Sequence, residues 1–187
     1  LGVLETRRLP GSGAGIRITH RKPLAYPEVT GYYIPTLLRW GHRDLALKFA
    51  RWLTAIQRDD GAWPEPSLKV PYTFDTGQIL KGLVALVDIE PSLEQPIRKG
   101  CDWILTQIES SGRVRTPDES AWAGLRGGRR VPEAIHLYAL EPVRDAGKRW
   151  GVARYEEAVD RAAAFYLRDP QLTAFNTLSH FHAYVLE

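Results

Sequence analysis

The sequence predicts an all-α protein, built of antiparallel helical hairpins that form part of an α/α toroid with about seven helices. Three observations predict it. Apolar residues recur at helical steps in long segments separated by loops rich in Gly, Pro, Asp and Arg. Amphipathic segments alternate with segments that are apolar around most of their circumference, and those apolar segments resemble one another at regular spacing. No stretch shows the polar–apolar alternation of a strand between turn signals.

Residues 1–25 hold Arg7, Arg8 and a Gly-Ser-Gly-Ala-Gly run at 11–15 with no sustained period, and read as an irregular arm. The glycines do not fit G-x-G-x-x-G, and no strand-then-helix context frames them as a phosphate loop. Residues 26–187 read as the helical domain. Its amphipathic segments are 42–57 (Leu45, Phe49, Trp52, Leu53, Ile56), 96–108 (Ile97, Cys101, Ile104, Leu105, Ile108) and 152–168 (Tyr155, Val159, Ala162, Phe165, Tyr166). Each carries its apolar residues at steps of three and four, the stripe of a helix with one buried face. Pro96 suits the first turn of the second.

The alternating segments, 28–40, 75–87, 133–143 and 178–187, lack a polar face, so other helices are expected around them. They also align: Gly31 and Gly77 are 46 residues apart, as are His136 and His182, while Gly77 and His136 are 59 apart across the long loop 110–131. Pro27-Glu28 matches Pro132-Glu133, and Tyr33 matches Tyr138 and Tyr184. Buried inner helices paired with amphipathic outer ones imply hairpins stacked into a curved, closing array. A full ring of six hairpins needs twelve helices, and the sequence ends at Val185-Leu186-Glu187 within an apolar segment with no Gly or Pro stop. A longer chain or completion of the core by self-association is therefore expected.

Composition narrows the function classes. Of 187 residues, 44% are hydrophobic and 25% charged, and 25 Lys+Arg against 22 Asp+Glu leave a net charge of +3. So small a surplus, with no recognised nucleic-acid module, argues against nucleic acid. No apolar run approaches the ~20 residues of a membrane span. Without a basic-then-apolar leader at its start, the sequence reads as cytoplasmic. The single Cys101 excludes a disulfide framework and a multi-Cys metal site. His180 and His182, two apart on a helix, point ~200° away from each other and do not chelate one ion. No metal and no cofactor are expected.

The segment 48–63, KFARWLTAIQRDDGAW, and its weaker copy at 99–112, KGCDWILTQIESSG, resemble the Q-W repeat of the terpenoid cyclase and prenyltransferase toroid superfamily. There, an aromatic residue, a Gln and a Gly-x-Trp tie adjacent hairpins together. Trp52, Gln57, Gly61 and Trp63 match in the first copy. In the second, Lys99, Gly100 and Trp103 fit, but Gln107 stands one residue early and no Trp follows Gly112. The same toroid serves glycan hydrolases, lyases and epimerases. The chain departs from the cyclase acid motif Asp-x-Asp-Asp, offering only Asp75 in Tyr-Thr-Phe-Asp-Thr, and from the metal-binding Asp-Asp-x-x-Asp, since Asp59-Asp60 precedes Gly-Ala-Trp.

Inner helices that run parallel bring their N-termini to one rim, where helix dipoles favour carboxylates or an anionic ligand. Glu28, Asp75, Glu133 and the stretch 177–182 fall at those starts. Two carboxyls in different environments can serve as acid and base, although an acid in a first turn is also an ordinary helix start. His182 and Tyr138 are the accessory donors expected to face the rim. The loop 110–131 is basic and carries Trp122; Arg126 and Arg129 supply forks for carboxylate or phosphate, and Trp122 and Trp63 supply rings for stacking on a sugar. A Trp tucked beneath a hairpin turn equally needs no ligand.

The expected function is thus a glycan-processing or glycan-binding toroid acting on an acidic or phosphorylated saccharide, as a hydrolase, lyase or epimerase-like enzyme. A terpenoid-cyclase-like enzyme is the alternative, and it requires an aromatic-walled cavity and a second acid beside Asp75. A non-catalytic helical scaffold is the other, and it requires the three acids to do no more than cap their helices.

Overall fold

A computed structural model describes residues 15–19, 21, 24–118, 133–168 and 183–184. Among them are six α-helices: α1 (Pro27–Arg39), α2 (Arg43–Ile56), α3 (Thr73–Leu86), α4 (Glu94–Thr106), α5 (Glu141–Trp150) and α6 (Ala153–Tyr166), with 3-10 segments at Pro91–Leu93 and Glu133–Ala139. No strand occurs among the described residues, only isolated bridges such as Arg17 to Ala25 and Pro64 to Pro71. The all-α expectation holds.

The helices form three successive hairpins in two layers. Helices α1, α3 and the third unit, Glu133–Ala139 continuing into α5, lie side by side, while α2, α4 and α6 pack behind them. Helix α3 is the centre: all of Thr73–Leu80, with Gly82, Leu83 and Leu86, is buried. Helices α1, α4 and α5 and the 3-10 segment cover most of its circumference. Helices α1 and α3 approach so closely that a methyl group on Gly82 would strike the carbonyl of Gly31. The core between the layers holds Ile34, Leu37, Phe49, Trp52, Leu53, Leu80, Leu83, Ile97, Cys101, Ile104, Val143 and Tyr155. Each fully buried large side chain of this kind stabilises by about 1.5–3 kcal/mol.

One element differs from expectation. The helix expected over 133–143 is a 3-10 segment that ends at Ala139, and a separate α-helix begins at Glu141. Pro142 occupies the first turn of α5, where a missing N–H costs nothing, and Gly151 closes the helix in the left-handed conformation with φ of 63°. Pro142 has no N–H to donate back to the Tyr138 carbonyl, so the hydrogen-bond ladder is interrupted there rather than running through. The expected helix over 178–187 and the arm 1–14 lie outside the described residues, apart from two helical residues at 183–184.

The hairpins are fastened by backbone contacts. Gln57 Nε2 donates to the carbonyl of Gly61 in its own turn and to that of Pro96 at the start of α4, both at 2.9 Å. Trp63 is fully buried, its indole N–H bonded to Leu53 O at 2.7 Å and its ring 2.6 Å from where a methyl on Gly100 would stand. Gly61 has φ of 97°, and a side chain there would hit the Lys99 carbonyl. The next turn repeats the pattern: Glu109 N–H bonds Arg113 O as Arg58 N–H bonds Ala62 O, and Gly112, φ 95°, abuts the Arg161 carbonyl. Val114 stands where Trp63 does, and its N–H and carbonyl meet the Tyr166 hydroxyl at 3.0 and 3.4 Å. Gln107 reaches only its neighbour Thr106, because the residue matching Gln57 is Ile108.

Candidate active site

Glu28 and Asp75 sit in the first turns of the adjacent helices α1 and α3. Both are buried, at 8% and 7% exposure. Neither caps its helix: no side-chain cap bond forms at either N-terminus, and neither carboxyl holds a hydrogen bond or ion pair among the described residues. Burial without a partner penalises the charged form. Burial therefore pushes the Glu28 carboxyl up to about 7. It pushes Asp75 well above the ordinary carboxylate range, and the nearby charges of Glu28 and Glu65 push it further.

Around the acids lie tyrosines and a second set of rings. The Tyr26 hydroxyl is raised by its own burial and by Asp75, Glu28 and Glu65. Phe74, next to Asp75 in sequence, packs with Tyr138 and Tyr184 at centroid separations of 6.4 and 5.4 Å, and the two tyrosines stack at 5.0 Å. Lys81 stands 4.4 Å over the Tyr138 ring, donates to its hydroxyl at 3.3 Å and pairs with Glu141 at 2.9 Å. Gln78 is 2% exposed and its Nε2 has no hydrogen-bond partner among the described residues. Residues three and four apart are neighbours on a helix surface, so Phe74, Asp75, Gln78 and Lys81 form one strip of α3.

The other expected residues divide. Glu133 does not join the pair. Arg113 Nε reaches both of its oxygens at 3.0 and 3.1 Å, Arg113 Nη2 adds a bond of 2.8 Å, and the Tyr166 hydroxyl donates at 2.7 Å. These donors hold the Glu133 carboxyl below the usual range against the effect of burial. Trp63, expected to face a sugar, is instead wholly buried in the fastening between hairpins, because its N–H and ring both find partners in the core. Tyr138 and Tyr184 share the ring cluster, whereas Tyr33 packs against the main core. His136 is fully buried, and burial lowers it to about 4, so it is a neutral imidazole. His182, Trp122, Arg126 and Arg129 lie outside the described residues.

Sequence reasoning did not select Glu65, Gln78, Lys81 or Tyr26. Glu65 belongs to the loop that returns over α3, where it accepts from Ser67 N–H at 2.6 Å and Lys69 N–H at 3.2 Å. The one available signal for Gln78 is an uncharged amide inside an otherwise apolar helix. No group of three or more His, Cys, Asp or Glu suited to a metal ion occurs among the described residues, and no described helix is long and apolar enough to cross a membrane. No protein-family model matches the chain, and no curated protein matches it in sequence.

Proposed function

We propose that the rim shared by α1 and α3 is an acid–base site for a saccharide, making this a glycan-processing member of the α/α-toroid class. The carrying observation is the pair Glu28 and Asp75, two buried carboxyls at adjacent helix starts that no donor among the described residues satisfies. A scaffold would spend those acids on caps, as an ordinary helix start does. Their environments separate them: burial and the neighbouring Glu28 and Glu65 charges hold the Asp75 carboxyl well above the ordinary range, which suits a general acid, while burial alone raises Glu28 to about 7, where it can take a proton up. The rings of Tyr138, Tyr184 and Phe74 suit an apolar sugar face, and the Lys81 ammonium beside them suits an acidic substituent.

One observation favours a second reading. An acid with a carboxyl neighbour, beside a cluster of three aromatic rings, is also what protonation of a polyprenoid requires. Incubation in deuterated buffer separates the two. Shortened or unsaturated fragments, or deuterium taken up at a ring carbon of a uronic-acid oligosaccharide, support the saccharide reading. Cyclised product from a linear polyprenoid, with the oligosaccharide untouched, overturns it.

A further inference from the structure

We propose that Gln78 is the ligand-selecting donor of this site, its carboxamide binding one oxygen of a saccharide carboxylate a helical turn below Asp75. This rests on the saccharide reading and names the substrate as a uronic-acid glycan. Nε2 of Gln78 carries two N–H donors, is buried and has no partner among the described residues. A buried amide left unbonded destabilises the fold, so an arrangement that keeps one beside an acid pair has a ligand oxygen as its natural partner. Its surface neighbours on α3 are Asp75 and Phe74 on one side and Lys81 on the other. The Lys81 ammonium has three donors, and Glu141 and Tyr138 occupy two of them.

Amide and ammonium thus offer donors three residues apart on one face, with the Phe74, Tyr138 and Tyr184 rings alongside. The group that fits such a strip accepts at two oxygens and brings no hydrogen of its own. A carboxylate does this; the hydroxymethyl of a neutral hexose carries a donor that the strip leaves unmatched.

The test uses the full chain, a glucuronic acid tetramer and its carboxyl-reduced glucose counterpart, with calorimetric binding and thermal melts. The wild type is expected to bind the uronate tetramer at least ~10-fold tighter than the reduced one. Gln78→Met should weaken uronate binding by about 10–100-fold, leave the reduced tetramer within 2-fold, and raise Tm by about 3 °C, because it removes an unsatisfied buried donor. Gln78→Glu, which sets a carboxylate against a carboxylate, should weaken uronate binding at least as much. Gain of stability with loss of binding is the signature a packing residue does not give. If the wild type binds a tetramer but Gln78→Met leaves the uronate affinity within 2-fold, or if that variant melts lower, the Gln78 assignment is wrong while the saccharide site stands. If the wild type binds neither tetramer, the saccharide reading itself falls, and this inference with it.

Discussion

Glu28 and Glu133 each follow a proline and each opens a helical segment, yet among the described residues one carboxyl has no partner and the other has four bonds. Three of those four bonds trace to a single upstream position. Before α3, Trp63 N–H bonds Thr76 Oγ1 at 3.3 Å, and before α1, Ile16 N–H bonds Thr30 Oγ1 at 2.8 Å, so Ile16 and Trp63 occupy the same place. Val114 holds that place in the third unit. The residue just ahead of it is Gly15, then Ala62, then Arg113. Only the third can reach forward with a guanidinium. An acid in a first turn is therefore neither structural nor functional by position; the preceding turn decides whether its charge is neutralised.

That contrast is breakable at several strengths. The largest effect is expected on chemistry. Asp75→Asn should lower turnover of a uronic-acid oligosaccharide by about 10²–10⁴-fold, and Glu28→Gln should come close to it, because each removes a proton-transfer group. Glu133→Gln should stay within 3-fold once its lower stability is allowed for. Equal losses for all three acids, by product analysis, would erase the distinction drawn here.

Next comes pH. The folded Glu28 carboxyl titrates near 7 against an ordinary 4.5, so the folded state keeps a proton that the unfolded chain has released. Its contribution is most favourable below about 4.5 and is lost as pH rises through 7, by about 3 kcal/mol. Glu133 runs the other way: its lowered pKa gives stability that is present above 4.5 and lost on acidification. Melting curves from pH 4 to 8 should flatten at the neutral end for Glu28→Gln and at the acid end for Glu133→Gln.

Smaller again, Arg113→Met should cost about 2 kcal/mol, since the pair is a third exposed and the variant leaves Glu133 with only the Tyr166 donor. Urea unfolding measures it, and a change below ~0.5 kcal/mol would remove Arg113 from the account. The smallest expected effect is Tyr166→Phe, about 1 kcal/mol, from the hydroxyl shared by Val114 and Glu133. Arg113→Met and Tyr166→Phe should combine non-additively because they act on one carboxylate.

Much of the fold was legible because its signals are local. The stripe Phe49, Trp52, Leu53, Ile56 needs only neighbours three and four apart, and α2 runs over Arg43–Ile56 as that stripe implies. The break at Ala139–Glu141 was hidden because Leu137, Tyr138, Ala139 and Leu140 continue the apolar run, although Pro142 marked a new start. The acids Glu28 and Asp75 were visible as first-turn residues, but that they are buried without a partner among the described residues is a property of the fold. Arg113 and Glu133, 20 residues apart, are joined by the fold alone. Gln78 carries no sequence motif; it stands out only once its Nε2 is seen to be buried with no hydrogen-bond partner among the described residues.

The glycine turns carry a consequence for how such an array varies. At Gly61 and Gly112, one hairpin rests on the main chain of the next, against the carbonyls of Lys99 and Arg161, with no side chain between. Distances set by side chains drift as cores are repacked; a distance set by two backbones has nothing to exchange. The pitch from hairpin to hairpin is thus decoupled from the amino acids that fill the core. Outer helices are free to change residues while the spacing of the turn before α3 from α4, and of the turn after α4 from α6, stays constant. The fastening acts as a gauge block between one hairpin and the next.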